Sequence, residues 1–416
     1  MGRKMRPGEV GLLSGGRTLL PVYAAMFMSM LGFGIILPVL PFHARMLGAS
    51  PVAMSLLVTL FALAQFLTAP AWGALSDRYG RRSIIALGLT GYGLSFLLMG
   101  VAPSVGWLLT VRTLGGVCSG SVFPTVLAHV ADVTPPQGRA AAMGRVGAAA
   151  NVGYLSGPLL GGALAALGPR AGLMLAGGVV FLSVLASVAM PRPDRASPDC
   201  PGTAPRRQIG LPGPLVLMTA LRGPLAAFYL QSLALTLTGA AVLGTVSYYM
   251  MDRFQSTAAG TSLFFVAQGV SAASVQALLV EPALRRWGED SVLRWGLALR
   301  GLGFLGMLLA PAPGLLLASA AVCDGGGALC RPVLNGAVSR RSGEAQGLAM
   351  GTMASFDSLG RVLGPLWAGW VYSRHISAPF ASGVAVSAFA LVLALSVARQ
   401  KRLNLTRPGT VVDGGS

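Results

Sequence analysis

The sequence predicts an all-helical, polytopic membrane protein with 12 transmembrane helices in two six-helix halves, and three observations carry that reading. First, 54% of the 416 residues are hydrophobic and only 11% are charged, with a mean hydropathy of +0.68. A soluble domain uses about 25% charged residues to cover its surface, so lipid is the solvent for most of this chain. Second, apolar runs long enough to cross a bilayer, about 20 residues each, recur along the whole length. Third, a stretch inside the fifth run returns in the eleventh, which makes the chain an internal duplication.

The runs fall at 18–41, 53–75, 83–102, 106–130, 141–166 and 171–190, and then at 224–250, 260–281, 291–310, 313–337, 345–372 and 378–398. We number them spans 1 to 12. They divide the chain into an N-terminal half (1–190), a cytoplasmic linker (191–214), a C-terminal half (215–400) and a cytoplasmic tail (401–416). The interval from Pro191 to Pro214 holds seven prolines, four arginines, Asp194 and Asp199, the composition of an extended linker. Arg3-Lys4-Met5-Arg6 ahead of span 1 imitates a signal peptide. The apolar run behind it is too long for a signal core and lacks a clear small-residue cleavage site, so it reads as an uncleaved span.

The net charge of +18 would suggest nucleic acid in a soluble protein, but the basic residues lie in the loops. Arg78, Arg81, Arg82, Arg139, Arg206, Arg207, Arg285, Arg286, Arg340, Arg341 and the two termini fall on one side. The other side collects only Arg45, Arg170, Arg253 and Arg374. The expectation is a multi-pass protein of the bacterial cytoplasmic (inner) membrane with both termini cytoplasmic, its basic excess explained by topology and anionic headgroups rather than nucleic acid. Cys118, Cys323 and Cys330 sit in apolar runs and Cys200 in a basic loop, which gives no disulfide framework. No His, Cys, Asp or Glu set has metal-ligand spacing, and no phosphate-binding Gly-Lys-Ser/Thr loop exists. Neither metal nor cofactor is expected, and an ATP-driven pump is excluded on sequence grounds.

Residues 142–158 read AMGRVGAAANVGYLSGP and residues 349–365 read AMGTMASFDSLGRVLGP, a match at a constant offset of 207. An even number of spans per half gives the two copies the same orientation, related by an axis along the membrane normal, and places the substrate site between the halves.

The loop after span 2 reads Gly73-Ala74-Leu75-Ser76-Asp77-Arg78-Tyr79-Gly80-Arg81-Arg82. Its glycines allow close helix approach, its acid can face a helix N-terminus and its arginines can pair with nearby carboxylates. A plain basic loop explains the arginines but not Asp77. This stretch resembles the signature loop of the major facilitator superfamily. Arg112 to Gly116 in span 4 resembles that family's R-x-x-x-G motif, and Gly153 to Gly162 in span 5 its antiporter motif, G-x-x-x-G-P-x-x-G-G. The ends of spans 1 (Leu37 to Pro41) and 4 (Ala131 to Pro135) are similar to the 12-span drug:proton antiporter branch, which includes tetracycline and multidrug pumps. One departure is Ser29, where similar tetracycline pumps carry an aspartate, which argues against dedicated tetracycline export.

The resemblance implies proton-coupled export of small lipophilic compounds by alternating access. The partners are then a small-molecule substrate, protons and the lipid bilayer, with no nucleic acid, and the protein acts as a monomer and not as an enzyme. It implies gating by Gly73, Asp77, Arg78, Gly80, Arg81, Arg82 and Asp132, with Arg78 near Asp132, and a part in proton transfer for Arg112. Gly153, Gly157, Pro158, Gly161 and Gly162 serve either as a hinge or as a small-residue packing seam. Two alternatives stand beside this reading: export of one particular metabolite such as a sugar, siderophore or lipid, and a non-transporting receptor or scaffold, which would need neither gating motifs nor buried acids.

An unpaired ion near the bilayer centre costs at least ~2.5–3.5 kcal/mol, so intramembrane charge signals function or pairing. At roughly 1.5 Å per residue Asp324 and Asp357 reach the midplane, Arg300 lies at similar depth, Arg112 nearer the outer end of span 4 and Arg331 nearer the inner end of span 10. Asp357 and Arg361 are i,i+4 and can pair. Asp324, with Asp357 second, is the candidate proton carrier; the alternative for each is a fixed ion pair. Gln65, Asn151, Gln231, Gln268 and Asn335, costly in lipid, are candidate cavity residues with Arg300 and Arg331. Phe33, Phe61, Met26, Tyr248, Tyr249, Phe264 and other aromatics and methionines could line an adaptable cavity. His43 reads as a solvated loop residue and His129 as a satisfied interfacial one.

Overall fold

The computed structural model describes residues 19–191, 218–342 and 345–405. The basic N-terminus, nearly all of the 191–214 linker and the end of the tail lie outside the described residues. Everything regular among the described residues is helical. Among the described residues eleven helical segments are long and apolar enough to cross a membrane, the two pieces of span 4 taken together. The remaining span, Gln346–Tyr372, is a 27-residue helix whose hydropathy is lowered by Asp357, Arg361 and its many small residues.

Most helices outrun the apolar runs that predict them. Span 1 continues to Met46, span 2 to Tyr79, span 7 to Phe254, span 10 to Arg341 and span 12 to Leu405. The extra turns carry Arg45, Arg78, Arg253, Arg340 and Arg341, cations that favour a helix C-terminus. This extension corrects the reading of His43, which is inside the span 1 helix and 1% exposed instead of in a solvated loop. Starts follow ordinary rules. Proline stands in the first turn at Pro51, Pro169 and Pro313, and Ser50 and Ser104 accept hydrogen bonds from Ala53 N and Trp107 N.

Span 4 is two helices, Val105–Ser119 and Val122–Val133. Ser119 and Ser121 each turn a hydroxyl back to a backbone carbonyl, of Gly116 and Cys118, on either side of Gly120, and that competition loosens the helical ladder there. Span 8 carries a π-helical turn, Val275–Leu279, between Ala258–Ser274 and Val280–Trp287.

Spans 2 and 3 meet at Gly80 (φ +91°) and spans 8 and 9 at Gly288 (φ +71°), a backbone region that favours glycine. Each joint uses the same two hydrogen bonds: Gly80 N to Ser76 O with Ile84 N to Gly80 O, and Gly288 N to Leu284 O with Val292 N to Gly288 O. The duplication is therefore visible in backbone geometry.

The helices group into two compact units. One comprises the described residues of Met1–Leu211 with Gly239–Ala267 and Arg361–Pro379; the other comprises those of Pro212–Thr238, Gln268–Gly360 and Phe380–Ser416. In the first, span 5 lies on span 1 with no side chain between the backbones. A Cβ at Gly157 would stand 2.4 Å from Gly34 Cα, one at Gly153 would stand 2.3 Å from Phe27 O, and one at Gly161 would stand 2.6 Å from Ile35 O. In the second, span 9 meets span 10 through Gly296, Gly303 and Gly326 in the same manner, while Phe356, Tyr229, Leu297 and Leu334 belong to its apolar core.

Candidate functional site

The first unit encloses a cavity of about 650 Å³, counting its open mouth. Span 1 supplies Phe33, Ile36, Leu37, Leu40 and Pro41, and span 2 supplies Met54, Val58, Phe61, Ala62 and Gln65. Span 4 adds Arg112, span 7 adds Ala240 and Leu243, and span 11 adds Arg361. The wall is apolar apart from one amide and two guanidinium groups. Arg112 is 4% exposed. Its guanidinium lies 4.0 Å over the Phe61 ring and 5.8 Å from that of Phe33, with Tyr92 within hydrogen-bonding reach. Its Nε and Nη1 are buried with no hydrogen-bond partner among the described residues, and no carboxylate lies within ion-pair distance of it there. Gln65 Nε2 donates to Ser119 Oγ, at the break in span 4.

At one end of the same unit three helix ends are tied together. Arg45 Nη1 is 2.6 Å from Asp252 Oδ1, the Tyr372 hydroxyl donates to Asp252 Oδ2 (2.7 Å), and Tyr248, under the Arg45 guanidinium, donates to Ala49 O. The loop between spans 2 and 3 forms a second cluster. Arg81 Nη2 is 2.5 Å from Asp77 Oδ1, Arg81 Nε donates to Asp132 Oδ2 (3.1 Å), and Arg81 Nη1 donates to Ser76 Oγ. Arg81, not Arg78, is therefore the partner of Asp132. Arg78 instead covers the ring of its neighbour Tyr79. Gly73, Asp77 and Arg81 line a second hollow with Thr125 and Met143. His129, read as a satisfied interfacial residue, is fully buried, and neither ring nitrogen has a hydrogen-bond partner among the described residues.

The second unit holds the two acids expected at midplane depth, both partly buried. Asp357 Oδ1 accepts from Ser232 Oγ (2.5 Å) and Thr236 Oγ1 (3.1 Å), and Oδ2 accepts from Arg331 Nη1 (3.3 Å). Asp324 has fewer partners: Arg300 Nη1 stands 3.8 Å from Oδ1, the Gln268 side chain is within hydrogen-bonding reach of the carboxylate, and Oδ2 is buried with no hydrogen-bond partner among the described residues. Arg300 is anchored elsewhere, donating to Thr238 Oγ1 and Leu235 O. Gly326, beside Asp324, allows span 10 this close to span 9: a Cβ there would stand 2.8 Å from Arg300 N.

The sequence-derived candidates thus separate. Arg112 and Gln65 share the cavity, whereas Arg300, Asp324, Arg331, Asp357, Gln231 and Gln268 belong to the other unit. Gln231 is buried and donates to Ala390 O, while Asn151 and Asn335 lie on exposed helix faces. Gly153, Gly157 and Gly161 with Pro158 form the seam on span 1, and Gly162 meets Ser262 of span 8. Of the aromatics and methionines singled out, Phe33 and Phe61 line the cavity; Met26, Tyr248, Tyr249 and Phe264 are core. Sequence reasoning missed Arg361 as a cavity residue and Ser232, Thr236 and Thr238 as partners of buried charge. The signal was there in three hydroxyls within seven residues of span 7.

Comparison with known proteins supports one lineage. The Major Facilitator Superfamily model matches residues 22–250 and again 228–411. The chain is 27% identical over 384 residues to the Quinolone resistance protein NorA of Staphylococcus aureus (strain MSSA476), covering 92% of this chain and 97% of that one. It is 27% identical over 381 residues to Multidrug resistance protein 1 of Bacillus subtilis (strain 168), covering 91% and 96%. Among solved structures, the human organic anion transporter MFSD10 (TETRAN) shares the fold with a TM-score of 0.63 at 23% identity, over 91% of this chain and 99% of that one. Signature loop, glycine seam, repeated joint and two successive family matches converge: the chain belongs to the Major Facilitator Superfamily and is a multi-pass membrane transporter, not an enzyme.

Proposed function

We propose that this transporter exports small, largely apolar compounds, drugs among them, in exchange for protons, and that Asp324 carries the coupling proton. Likeness to two bacterial resistance proteins over nine-tenths of the chain supports the substrate class. The observation that carries the coupling is the contrast between the two acids. Asp357 accepts two hydroxyl hydrogen bonds and one from a guanidinium, so three donors engage its two oxygens. Among the described residues Asp324 has one oxygen without a hydrogen-bond partner, the Gln268 side chain within hydrogen-bonding reach, and an arginine at 3.8 Å whose hydrogen bonds go to Thr238 and Leu235 instead. A carboxylate so placed gains and loses a proton without dismantling a network.

Protonation of Asp324 removes its attraction to Arg300 and shifts the balance between two states of the transporter, and substrate leaves in the state that the proton favours. The Lys/Arg asymmetry supports cytoplasmic termini in a bacterial inner membrane, which places the Arg81 cluster inside and the Arg45–Asp252–Tyr372 ties outside. The 12 spans then act as two halves, 1–190 and 215–400, joined by the 191–214 linker and acting as a monomer. Asp77, Arg81 and Asp132 hold the cytoplasmic ends until the halves rock.

The test uses purified protein in liposomes under an imposed pH gradient, with a panel of lipophilic compounds of different charge. Gradient-driven accumulation is expected in the wild type. Asp324→Asn should abolish it while keeping substrate binding, and should remove the pH dependence of that binding. Accumulation by Asp324→Asn together with its loss in Asp357→Asn would move the proton site to span 11.

A further inference from the structure

We infer that the cavity between spans 1, 2, 4, 7 and 11 binds amphipathic carboxylates, an aromatic or aliphatic body with one anionic head seated on Arg112. The inference rests on the export reading and narrows its substrate class. A guanidinium is charged at every physiological pH, and burying one without a counter-ion is costly. Arg112 is 4% exposed, lines the cavity, and leaves Nε and Nη1 without a hydrogen-bond partner among the described residues. The Phe61 face 4.0 Å away compensates part of the charge but takes none of the in-plane N–H groups. A second guanidinium, Arg361, lines the same wall, and the lining residues include no acid.

A cationic ligand would therefore meet the Arg112 guanidinium and no carboxylate among the lining residues. A neutral ligand with a carbonyl oxygen meets an Arg112 donor but leaves its charge unbalanced. A carboxylate oxygen at Nε or Nη1 satisfies a buried donor with a charge-assisted hydrogen bond. The remaining wall, Phe33, Ile36, Leu40, Met54, Val58 and Phe61, takes the apolar body. The Gln65 amide nitrogen donates to Ser119 Oγ.

The test is equilibrium binding by calorimetry to the full chain in phosphatidylcholine nanodiscs, with no pH gradient. The probes are 2-naphthoate, 2-naphthamide and 2-naphthylmethylammonium, alike in body and different in charge. Naphthoate should bind about 10- to 100-fold more tightly than the amide, the worth of a hydrogen bond to a charged group, and the ammonium no better than the amide. Arg112→Gln should bring naphthoate down to the amide, Arg112→Lys should keep part of the preference, and Arg361→Gln should weaken it. Decanoate as competitor separates the sources: displacement of naphthoate assigns the site to fatty-acid-like anions, and failure to displace it assigns the site to aromatic acids. Equal binding of amide and carboxylate, or a preference unchanged in Arg112→Gln, would overturn the inference and leave export untouched. Loss of gradient-driven transport with naphthoate preference intact would overturn the coupling and leave the site. Binding of none of the probes would overturn the inference, with export still decided by the liposome assay.

Discussion

The two copies of the duplicated unit make the same contact with opposite charges. In the first, Arg81 at the start of span 3 pairs with Asp132 at the end of span 4; in the second, Glu289 at the start of span 9 pairs with Arg340 at the end of span 10. One offset of 208 residues relates Arg81 to Glu289 and Asp132 to Arg340. Backbone geometry fixed which positions meet, and the sign of each charge was free. The copies also differ in investment. Arg81 is 13% exposed and reaches Asp77, Ser76 and Asp132 together, whereas Glu289 and Arg340 are 44% and 56% exposed and reach one another.

The same divergence runs through spans 5 and 11. Ala150 and Tyr154 of the first copy stand where the second carries Asp357 and Arg361. The first copy spends its helix on close packing, with Tyr154 stacked on Phe33; the second spends it on buried charge held by hydroxyls from span 7.

The largest expected effect would break the packing side of this contrast. Gly157→Leu drives a side chain into the span 1 backbone and should cost at least about 3 kcal/mol, seen as loss of monodisperse protein on size exclusion. Gly144→Ala, where a Cβ meets nothing within 4 Å, should leave the elution profile and Tm unchanged. Next comes the charged side. Thr238→Val removes an acceptor from Arg300, itself 4% exposed, and should lower stability by about 1–2 kcal/mol. A Tm equal to that of wild type would mean that the hydroxyl is dispensable to the buried cation.

Smaller still in stability is Arg81→Gln, at about 1 kcal/mol, but its transport rate should fall severalfold because three partners are released together. Unchanged transport would remove the gating role of that cluster. Arg340→Gln should be the mildest, within about 0.5 kcal/mol, since both members of its pair are wetted. A transport loss equal to that of Arg81→Gln would show the two copies to be functionally alike after all.

Number and order of spans, the duplication and the glycine motif were legible in the sequence because each is a local pattern: 20-residue apolar runs, an exact offset, small residues four apart. What was not legible depends on rotation of one helix against another. The signature loop contains Arg78, Arg81 and Arg82 within five residues, and only the turn of the helix decides that Arg81 faces Asp132. Asp324 and Asp357 were visible as buried acids, but their difference in environment comes from hydroxyls about 85 to 125 residues away in sequence. The split of span 4 at Gly120 was hidden because apolar composition continues through it.

The pair that ties spans 1 and 7 has a history written into its numbers. Arg45 and Asp252 are separated by 207 residues, the offset that relates the repeated segments of spans 5 and 11, so each stands at the other's equivalent position. In a symmetric dimer of identical subunits a contact between equivalent positions sets a residue against its own copy, arginine on arginine or aspartate on aspartate. Attraction at 2.6 Å is open only to two positions that mutate separately. The ion pair is thus a gain available after gene fusion and denied to any ancestral homodimer, and splitting this protein into two identical halves would turn its tie into a repulsion.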